Sequence, residues 1–276
     1  MPSQRFDLRI DSERVLRGRF VPATLGPAPW PCVTMVYGHT SFMDWGFYPE
    51  LSHRLAAVGI ASVRFNYSGD GLGEDLETFE NEALFARTGY GWELDDLARV
   101  RAYTLEHPEI DDRRCAVLGH SRGGGMALLH AAECGDYRAV ITWNAIDEVL
   151  RFSSERLAEW EENGQIRVQH WTAGRRARKD VSVLRHARTH AQRFDIPSAC
   201  GRLQCPTLIL QAADDRSVPE SAAHAIASAC PPGLARVQVI PDADHVFGGR
   251  HPLREIPASL SAALDATVNF ALDQLG

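Results

Sequence analysis

The sequence contains no long uninterrupted apolar run, no apolar leader and no paired cysteine motif. No window of about 18 apolar residues occurs, which argues against a membrane-spanning helix. Residues 1–5 are not followed by the apolar segment of a signal peptide, so we expect a cytoplasmic protein without a membrane partner. None of the six cysteines has the C-x-x-C spacing of a zinc or redox site, and we expect free thiols.

The charge is acidic overall but unevenly distributed. A formal net charge of −7 argues against a general affinity for nucleic acid. Residues 165–193, which we call the basic stretch, nevertheless hold eight Lys or Arg against one acid, Asp180. The stretch could bind an acidic substrate or partner, or it could be a solvated surface. We expect the solvated surface and no nucleic acid partner.

Short apolar runs of strand length alternate with helix-length segments along the 276 residues, enough for one large α/β domain or two small ones. Alternating residues predict an antiparallel pair at 5–10 and 14–21. Continuous runs rich in β-branched residues predict buried parallel strands at 33–37, 60–65, 115–118, 139–143, 207–210 and 237–240. Helices are predicted at 48–58, 92–106, 126–134, 220–229 and 257–275. This order predicts an α/β fold with a mostly parallel, doubly wound sheet.

One connection is far longer than this pattern needs. Residues 147–204 separate two strands where a single helix would suffice, and a segment of that length is rarely unstructured in a compact domain. Helical patterns at 147–162 and 180–194 predict a small helical insertion. We therefore expect a core domain made of residues 1–146 and 205–276, interrupted by the insertion.

The strongest motif is G-H-S-R-G at residues 119–123, centred on Ser121. It directly follows one predicted strand and leads into the helix at 126–134, which is the context of a G-x-S-x-G nucleophile elbow. The turn is so tight that small residues must flank the serine. Its Oγ then stands above the sheet at the positive end of the helix. Ser121 is the predicted nucleophile.

A serine nucleophile needs a base, which an acid orients, and in this arrangement the acid precedes the histidine in the chain. Asp214 and Asp215 follow the strand at 207–210, at the carboxyl edge where open α/β sheets place their sites. Either could instead end the strand or cap the next helix. We favour Asp215 as the acid, and Asp214 stays open. His245 follows the strand at 237–240 and is the predicted base.

Acyl transfer also requires two backbone N–H donors for the oxyanion. One is predicted at Arg122, directly after the nucleophile. The other is predicted at His39, in the loop after the strand at 33–37. The His39 side chain could be a spectator, because the hole needs only its backbone.

With these motifs the chain resembles the α/β-hydrolase superfamily from residue 33 to the last helix. It is most similar to the serine aminopeptidase and the cinnamoyl or feruloyl esterase-like branches. Y-G-H at 37–39 and S-G-D-G-L-G at 68–73 depart from the His-Gly-aromatic and Arg-Gly-His-Gly turns of many members. The resemblance implies that residues 147–204 form a cap or lid and that the protein is a serine hydrolase without a cofactor.

Three functions remain open at this point. A carboxylesterase acting on a small-molecule ester is the first hypothesis. A peptidase or amidase would use the same triad, and a non-catalytic binding protein could have kept the fold. His186 and His190 have an i, i+4 spacing that could hold a metal, but the acid of an H-E-x-x-H motif is missing, so no metal site is predicted. The oligomeric state is not predicted.

Overall fold

Strands and helices alternate along residues 3–276, the part of the chain that the computed structural model describes. The strands are β1 Gln4–Arg9, β2 Val15–Val21, β3 Trp30–Val36, β4 Ala61–Asn66, β5 Ile110–His120, β6 Ala139–Trp143, β7 Gln165–His170, β8 Arg175–Asp180, β9 Thr207–Ala212 and β10 Ala235–Ile240. The helices are α1 Tyr48–Ala57, α2 Glu82–Arg87, α3 Tyr90–Glu106, α4 Arg122–Cys134, α5 Ser154–Asn163, α6 Val181–Thr189, α7 Ile196–Cys200, α8 Glu220–Ala229 and α9 Ala258–Leu275.

Eight strands form one sheet in the order β1-β2-β4-β3-β5-β6-β9-β10. The pairs β1–β2 and β2–β4 are antiparallel, and the other neighbours are parallel. Every residue of β3, β4, β6 and β9 is buried, as expected when helices cover both faces of a sheet. The helices α1 and α9 contact each other, whereas α3, α4, α7 and α8 form a second contacting series. The predicted α/β fold with a mostly parallel sheet is confirmed.

The segment between β6 and β9 differs from the prediction in its secondary structure. It contains the expected helices α5 and α6, but also an antiparallel hairpin of β7 and β8, so it is not purely helical. Alternate residues of the hairpin are buried, among them Ile166, Ala177 and Lys179. Because most of its residues are charged or polar, the hairpin lacks the apolar alternation by which a strand is recognised in a sequence.

The same segment has an apolar cluster of its own. Trp160, Ile166, Val183 and Leu184 are buried together, separately from the main core. In contrast, α7 packs against α4 and α8, and its residues Ile196 and Cys200 belong to the main core. The division of the chain at residues 147 and 204 stays a prediction, and the packing of α7 favours a second boundary before residue 196.

Carboxylates lie opposite much of the basic stretch. Arg175 pairs with Glu82 at 2.7 Å, and Arg193 pairs with Glu133 at 2.8 Å, so these two ion pairs join the segment to the core. Two further arginines, both in α6, share Glu161. Part of the basic stretch therefore lies at the surface where the segment packs against carboxylates of the α/β domain.

Among residues 3–276, no helix combines the length and the apolar character needed to cross a membrane.

Candidate active site

Ser121 lies in a strained turn between β5 and α4. Its φ is +56° and its ψ is −122°, in a region that residues with a side chain rarely adopt. The neighbouring glycines make the turn possible. A Cβ on Gly119 would lie 2.2 Å from the carbonyl oxygen of Gly123, and a Cβ on Gly123 would lie 2.4 Å from that of Tyr37. The turn thus places Ser121 at the N-terminus of α4, where free N–H groups and the helix dipole favour negative charge.

Three side chains that are distant in the sequence meet at the carboxyl edge of the sheet. His245 Nε2 lies 3.0 Å from Ser121 Oγ, and His245 Nδ1 lies 2.6 Å from Asp215 Oδ2. Asp215 follows β9, and His245 lies in the loop after β10. The neighbouring Asp214 is exposed, so the carboxylate in contact with the imidazole is that of Asp215.

The Asp215 carboxylate is held in an ionised state. Its side chain is fully buried, which opposes ionisation, but it accepts hydrogen bonds from His245 and from the backbone N–H groups of Ser217 and Val218, at 2.7 and 2.9 Å. These bonds outweigh burial, and the pKa of Asp215 lies below its usual value. Because a carboxylate only accepts, His245 carries its proton on Nδ1 and leaves Nε2 free to accept one from Ser121.

Two residues that no motif assigns to the triad fix the backbone of His245. Its carbonyl oxygen accepts hydrogen bonds from His120 Nε2 at 2.8 Å and from Asn144 Nδ2 at 2.9 Å. Burial lowers the pKa of His120 to about 3, so its imidazole is neutral and carries the proton on Nε2. The Asn144 Oδ1 accepts from the N–H of Ala212 at 2.7 Å, which links His245 to the end of β9. No motif marks Asn144, whereas His120 directly precedes Ser121 in the G-x-S-x-G motif.

The loop after β3 approaches Ser121 closely. A Cβ on Gly38 would lie 3.1 Å from the Cβ of Ser121, so the absence of a side chain allows this approach. The N–H of Ser41 donates to the carbonyl of Gly38 at 3.2 Å and closes a turn over residues 38–41. His39 follows Gly38 in this turn. Burial, with the nearby charges of Arg122 and other cations, holds the pKa of the His39 imidazole well below its ordinary value.

The side chain of Arg122 points into a buried ion pair. Its Nε and Nη2 donate to the two carboxylate oxygens of Glu93 at 2.8 and 2.5 Å, and its guanidinium lies 4.1 Å from the centre of the Tyr90 ring. The guanidinium is therefore committed to structural contacts. The group that Arg122 can offer a substrate is its backbone N–H, at the first position of α4.

A small cavity lies beside the 38–41 turn. It is lined by His39, Asp70, Phe85, Arg122 and Lys179, among others. The hydroxyl of Tyr37 donates to Asp70 Oδ2 at 2.7 Å, and burial raises the pKa of Asp70 to about 7. The glycine-rich turn at 68–73 therefore borders the candidate site through Asp70.

The amino-acid sequence matches the prolyl oligopeptidase family over residues 45–264, a range that includes Ser121, Asp215 and His245. The chain belongs to the prolyl oligopeptidase family. The resemblance to the α/β-hydrolase superfamily is thereby confirmed. The stretch at residues 38–41 precedes the matched range, so the family match does not bear on the predicted His39 donor.

Among known proteins, this member of the prolyl oligopeptidase family is similar to 2,6-dihydropseudooxynicotine hydrolase of Paenarthrobacter nicotinovorans, with 26% identity over 246 residues. The match covers 88% of this chain and 59% of the relative, so the chain spans about three fifths of that protein's length. The structure of Est1E from Butyrivibrio proteoclasticus with bound ferulic acid is similar at a TM-score of 0.76 and 20% identity, covering 98% of both chains. Dienelactone hydrolase from Anabaena variabilis is similar at a TM-score of 0.65 and 17% identity, covering 99% of both chains. These two structures show the shared α/β-hydrolase fold.

Proposed function

We propose that the protein is a serine hydrolase that cleaves a small-molecule carboxylic ester through an acyl-enzyme. The hydrogen-bonded series from Ser121 Oγ to His245 and on to the buried Asp215 carboxylate carries this proposal. A nucleophile, a base and an acid within hydrogen-bond reach, with the nucleophile at a helix N-terminus, is the arrangement that acyl transfer needs. A non-catalytic binding protein would have no use for the strained Ser121 turn or for the buried ionised carboxylate behind His245.

In the first half-reaction the Ser121 oxygen attacks the ester carbonyl carbon while His245 Nε2 takes the hydroxyl proton. The carbonyl oxygen becomes an oxyanion, and the N–H groups of Arg122 and His39 stabilise it, a contribution of about 3 kcal/mol for each donor. Asp215 stabilises the imidazolium that forms. The imidazolium then gives its proton to the leaving alcohol, and the acyl group stays on Ser121.

In the second half-reaction a water molecule replaces the alcohol. His245 Nε2 takes a proton from this water as it attacks the acyl carbon, and a second oxyanion forms in the same hole. When this intermediate collapses, the Ser121 oxygen recovers its proton from His245 and the carboxylic acid leaves. No step of this sequence uses a metal or a cofactor.

The cavity beside the turn favours a small acyl group. It encloses about 30 Å³, room for about two water-sized groups, and its lining includes His39, Asp70 and Lys179. A long alkyl chain would not find the space there. We therefore expect short acyl esters to be cleaved with a higher kcat/KM than long ones. Methyl ferulate belongs in the same assay because the similar Est1E structure holds ferulic acid.

A peptidase or amidase is the second candidate, and the match to the prolyl oligopeptidase family favours it. The same triad would act on an amide, with His245 protonating a leaving amine instead of an alcohol. Matched p-nitrophenyl esters and p-nitroanilides of the same acyl group, including a prolyl derivative, separate the two. A higher kcat/KM on the anilides than on the esters would favour the peptidase.

We also propose a cytoplasmic location. The structure contains six free cysteines, five of them buried, which is the thiol state that a reducing compartment maintains. Fractionation of cells that produce the protein tests this assignment.

The nucleophile is tested with the p-nitrophenyl ester series and a fluorophosphonate label. Wild type is expected to hydrolyse the short esters and to carry the label on Ser121 after peptide mapping. Ser121→Ala should lose both properties, whereas Ser228→Ala, an exposed serine on α8, should keep them. Ester hydrolysis that survives Ser121→Ala at the wild-type rate would refute the proposed function.

A further inference from the structure

The turn of the β7–β8 hairpin contacts the loop that approaches the nucleophile. The hydroxyl of Thr172 donates to the carbonyl oxygen of Thr40 at 2.7 Å. The backbone N–H of Trp171 donates to the hydroxyl of Thr40 at 3.2 Å. Two polar groups of one loop residue are thus held by residues more than a hundred positions away in the chain.

Thr40 has a backbone conformation that needs such support. Its φ is +59°, in the left-handed region that β-branched residues avoid. Conformations of this kind persist where the surrounding structure fixes them, and they occur often at functional sites. The Thr40 hydroxyl, in turn, donates to the carbonyl of His39 at 2.7 Å. A series of hydrogen bonds therefore runs from the Trp171 N–H through the Thr40 hydroxyl to the carbonyl oxygen of His39. Thr172 holds the Thr40 carbonyl.

The hairpin is itself fastened to the core at two points of α2. The ammonium of the buried Lys179 donates to the carbonyls of Phe85 and Thr88 at 2.7 and 2.8 Å, which satisfies the C-terminal end of this helix. At the other end, the Glu82 carboxylate accepts from Arg175 and from the backbone N–H of Arg178 at 2.7 and 2.9 Å. The turn at 171–174 is thus carried on a fixed support.

We propose that the hairpin turn, through Thr172, holds the 38–41 loop in the conformation that points the His39 N–H at the developing oxyanion. Thr172 is then a positioning residue, and the segment between β6 and β9 contributes to transition-state stabilisation. The proposal rests on the proposed function. A mere tether between segment and core would affect stability or KM. An oxyanion-loop support affects kcat, because the oxyanion exists only in the transition state and the intermediates.

Thr172→Val tests this because it keeps the shape and β-branching of the side chain and removes the hydroxyl. Thr172→Ser restores the donor, and Thr189→Val makes the same change at an exposed position of α6. On a short p-nitrophenyl ester, Thr172→Val is expected to lower kcat about tenfold with KM within about twofold. This is less than the roughly hundredfold cost of losing an oxyanion donor outright. Thr172→Ser should recover most of the rate, and Thr189→Val should match wild type.

Two further measurements do not depend on turnover. The inhibition constant of an alkyl boronic acid, which forms a tetrahedral adduct on a serine, should rise by the factor by which kcat/KM falls. Amide hydrogen exchange at residues 38–43 should be faster in Thr172→Val than in wild type.

The outcomes separate this proposal from the one on which it rests. If Ser121→Ala abolishes hydrolysis while Thr172→Val keeps the wild-type kcat, or changes KM alone, the support role is wrong and the serine hydrolase stands. If Ser121→Ala hydrolyses esters as wild type does, the proposed function fails and the role of Thr172 fails with it.

Discussion

Asp215→Asn is expected to disable the site through the tautomer of His245. In the native site, Asp215 Oδ1 accepts from the two N–H groups of Ser217 and Val218, and Oδ2 accepts from His245. An asparagine can satisfy the two backbone donors only with its carbonyl oxygen, so its NH₂ group must face His245 Nδ1. That nitrogen then has to accept, and the imidazole proton moves to Nε2. Because Nε2 then presents an N–H to Ser121, His245 cannot accept the hydroxyl proton.

The expected loss in kcat is about 10⁴-fold, which corresponds to about 5 kcal/mol of transition-state stabilisation. The assay is hydrolysis of a short p-nitrophenyl ester, together with the rate at which a fluorophosphonate inactivates the enzyme. Circular dichroism should show an unchanged fold, because the asparagine is isosteric with the aspartate. A kcat within tenfold of wild type would refute the tautomer argument.

The neighbouring carboxylate supplies a matched control. Asp214 differs from Asp215 by one position but is exposed, so Asp214→Asn should leave kcat within about twofold of wild type. If Asp214→Asn is the slow variant and Asp215→Asn is not, Asp215 does not orient the base.

Three other substitutions probe the surroundings of the site. Gly38→Ala places a methyl group 3.1 Å from Ser121 Cβ, a contact relieved by a small shift, and should lower kcat about tenfold with little change in melting temperature; an unchanged kcat would show that the loop tolerates displacement. Asn144→Leu leaves the N–H of Ala212 without its acceptor and should lower the free energy of unfolding by about 1–3 kcal/mol in urea titrations, an effect that equal midpoints and slopes would disprove. Asp70 has a pKa raised to about 7 in the folded state, so the native state binds more protons than the unfolded state between about pH 4 and 7, and stability falls as the pH rises through this window. Asp70→Asn should therefore make the free energy of unfolding less dependent on pH between about pH 4 and 7, by up to about 1.4 kcal/mol per pH unit. If wild type and Asp70→Asn show the same dependence, Asp70 is not a buried ionisable group.

The sequence contained enough information to predict the sheet and the order of the three candidate triad residues. Buried parallel strands are continuous apolar runs, so β6 was predicted at its observed bounds, and β4 and β9 to within two residues. The elbow around Ser121 is recognisable because its steric demands require glycine at fixed offsets. Once Ser121 is placed, the topology fixes the strand ends at which the acid and His245 must lie.

Other features depend on tertiary contacts that leave no local pattern. The β7–β8 hairpin alternates in burial, but its buried Lys179 is a charged residue whose partners are backbone carbonyls of α2. No local pattern distinguishes Asn144 from the other asparagines, and only the fold places it between His245 and Ala212. The contact of Thr172 with Thr40 joins two unremarkable threonines, and neither residue type nor spacing indicates it.

The separate apolar cluster around Trp160 has a consequence for heat resistance. Residues that bury their side chains mainly among themselves can unfold as a unit of their own, and a unit with fewer buried contacts opens at a lower temperature than the main core. Opening of α5, α6 and the hairpin would release Thr40 while the large sheet stays folded. Activity is then expected to be lost at a lower temperature than the one at which the large sheet unfolds. The half-life of the activity would be limited by the stability of α5, α6 and the hairpin.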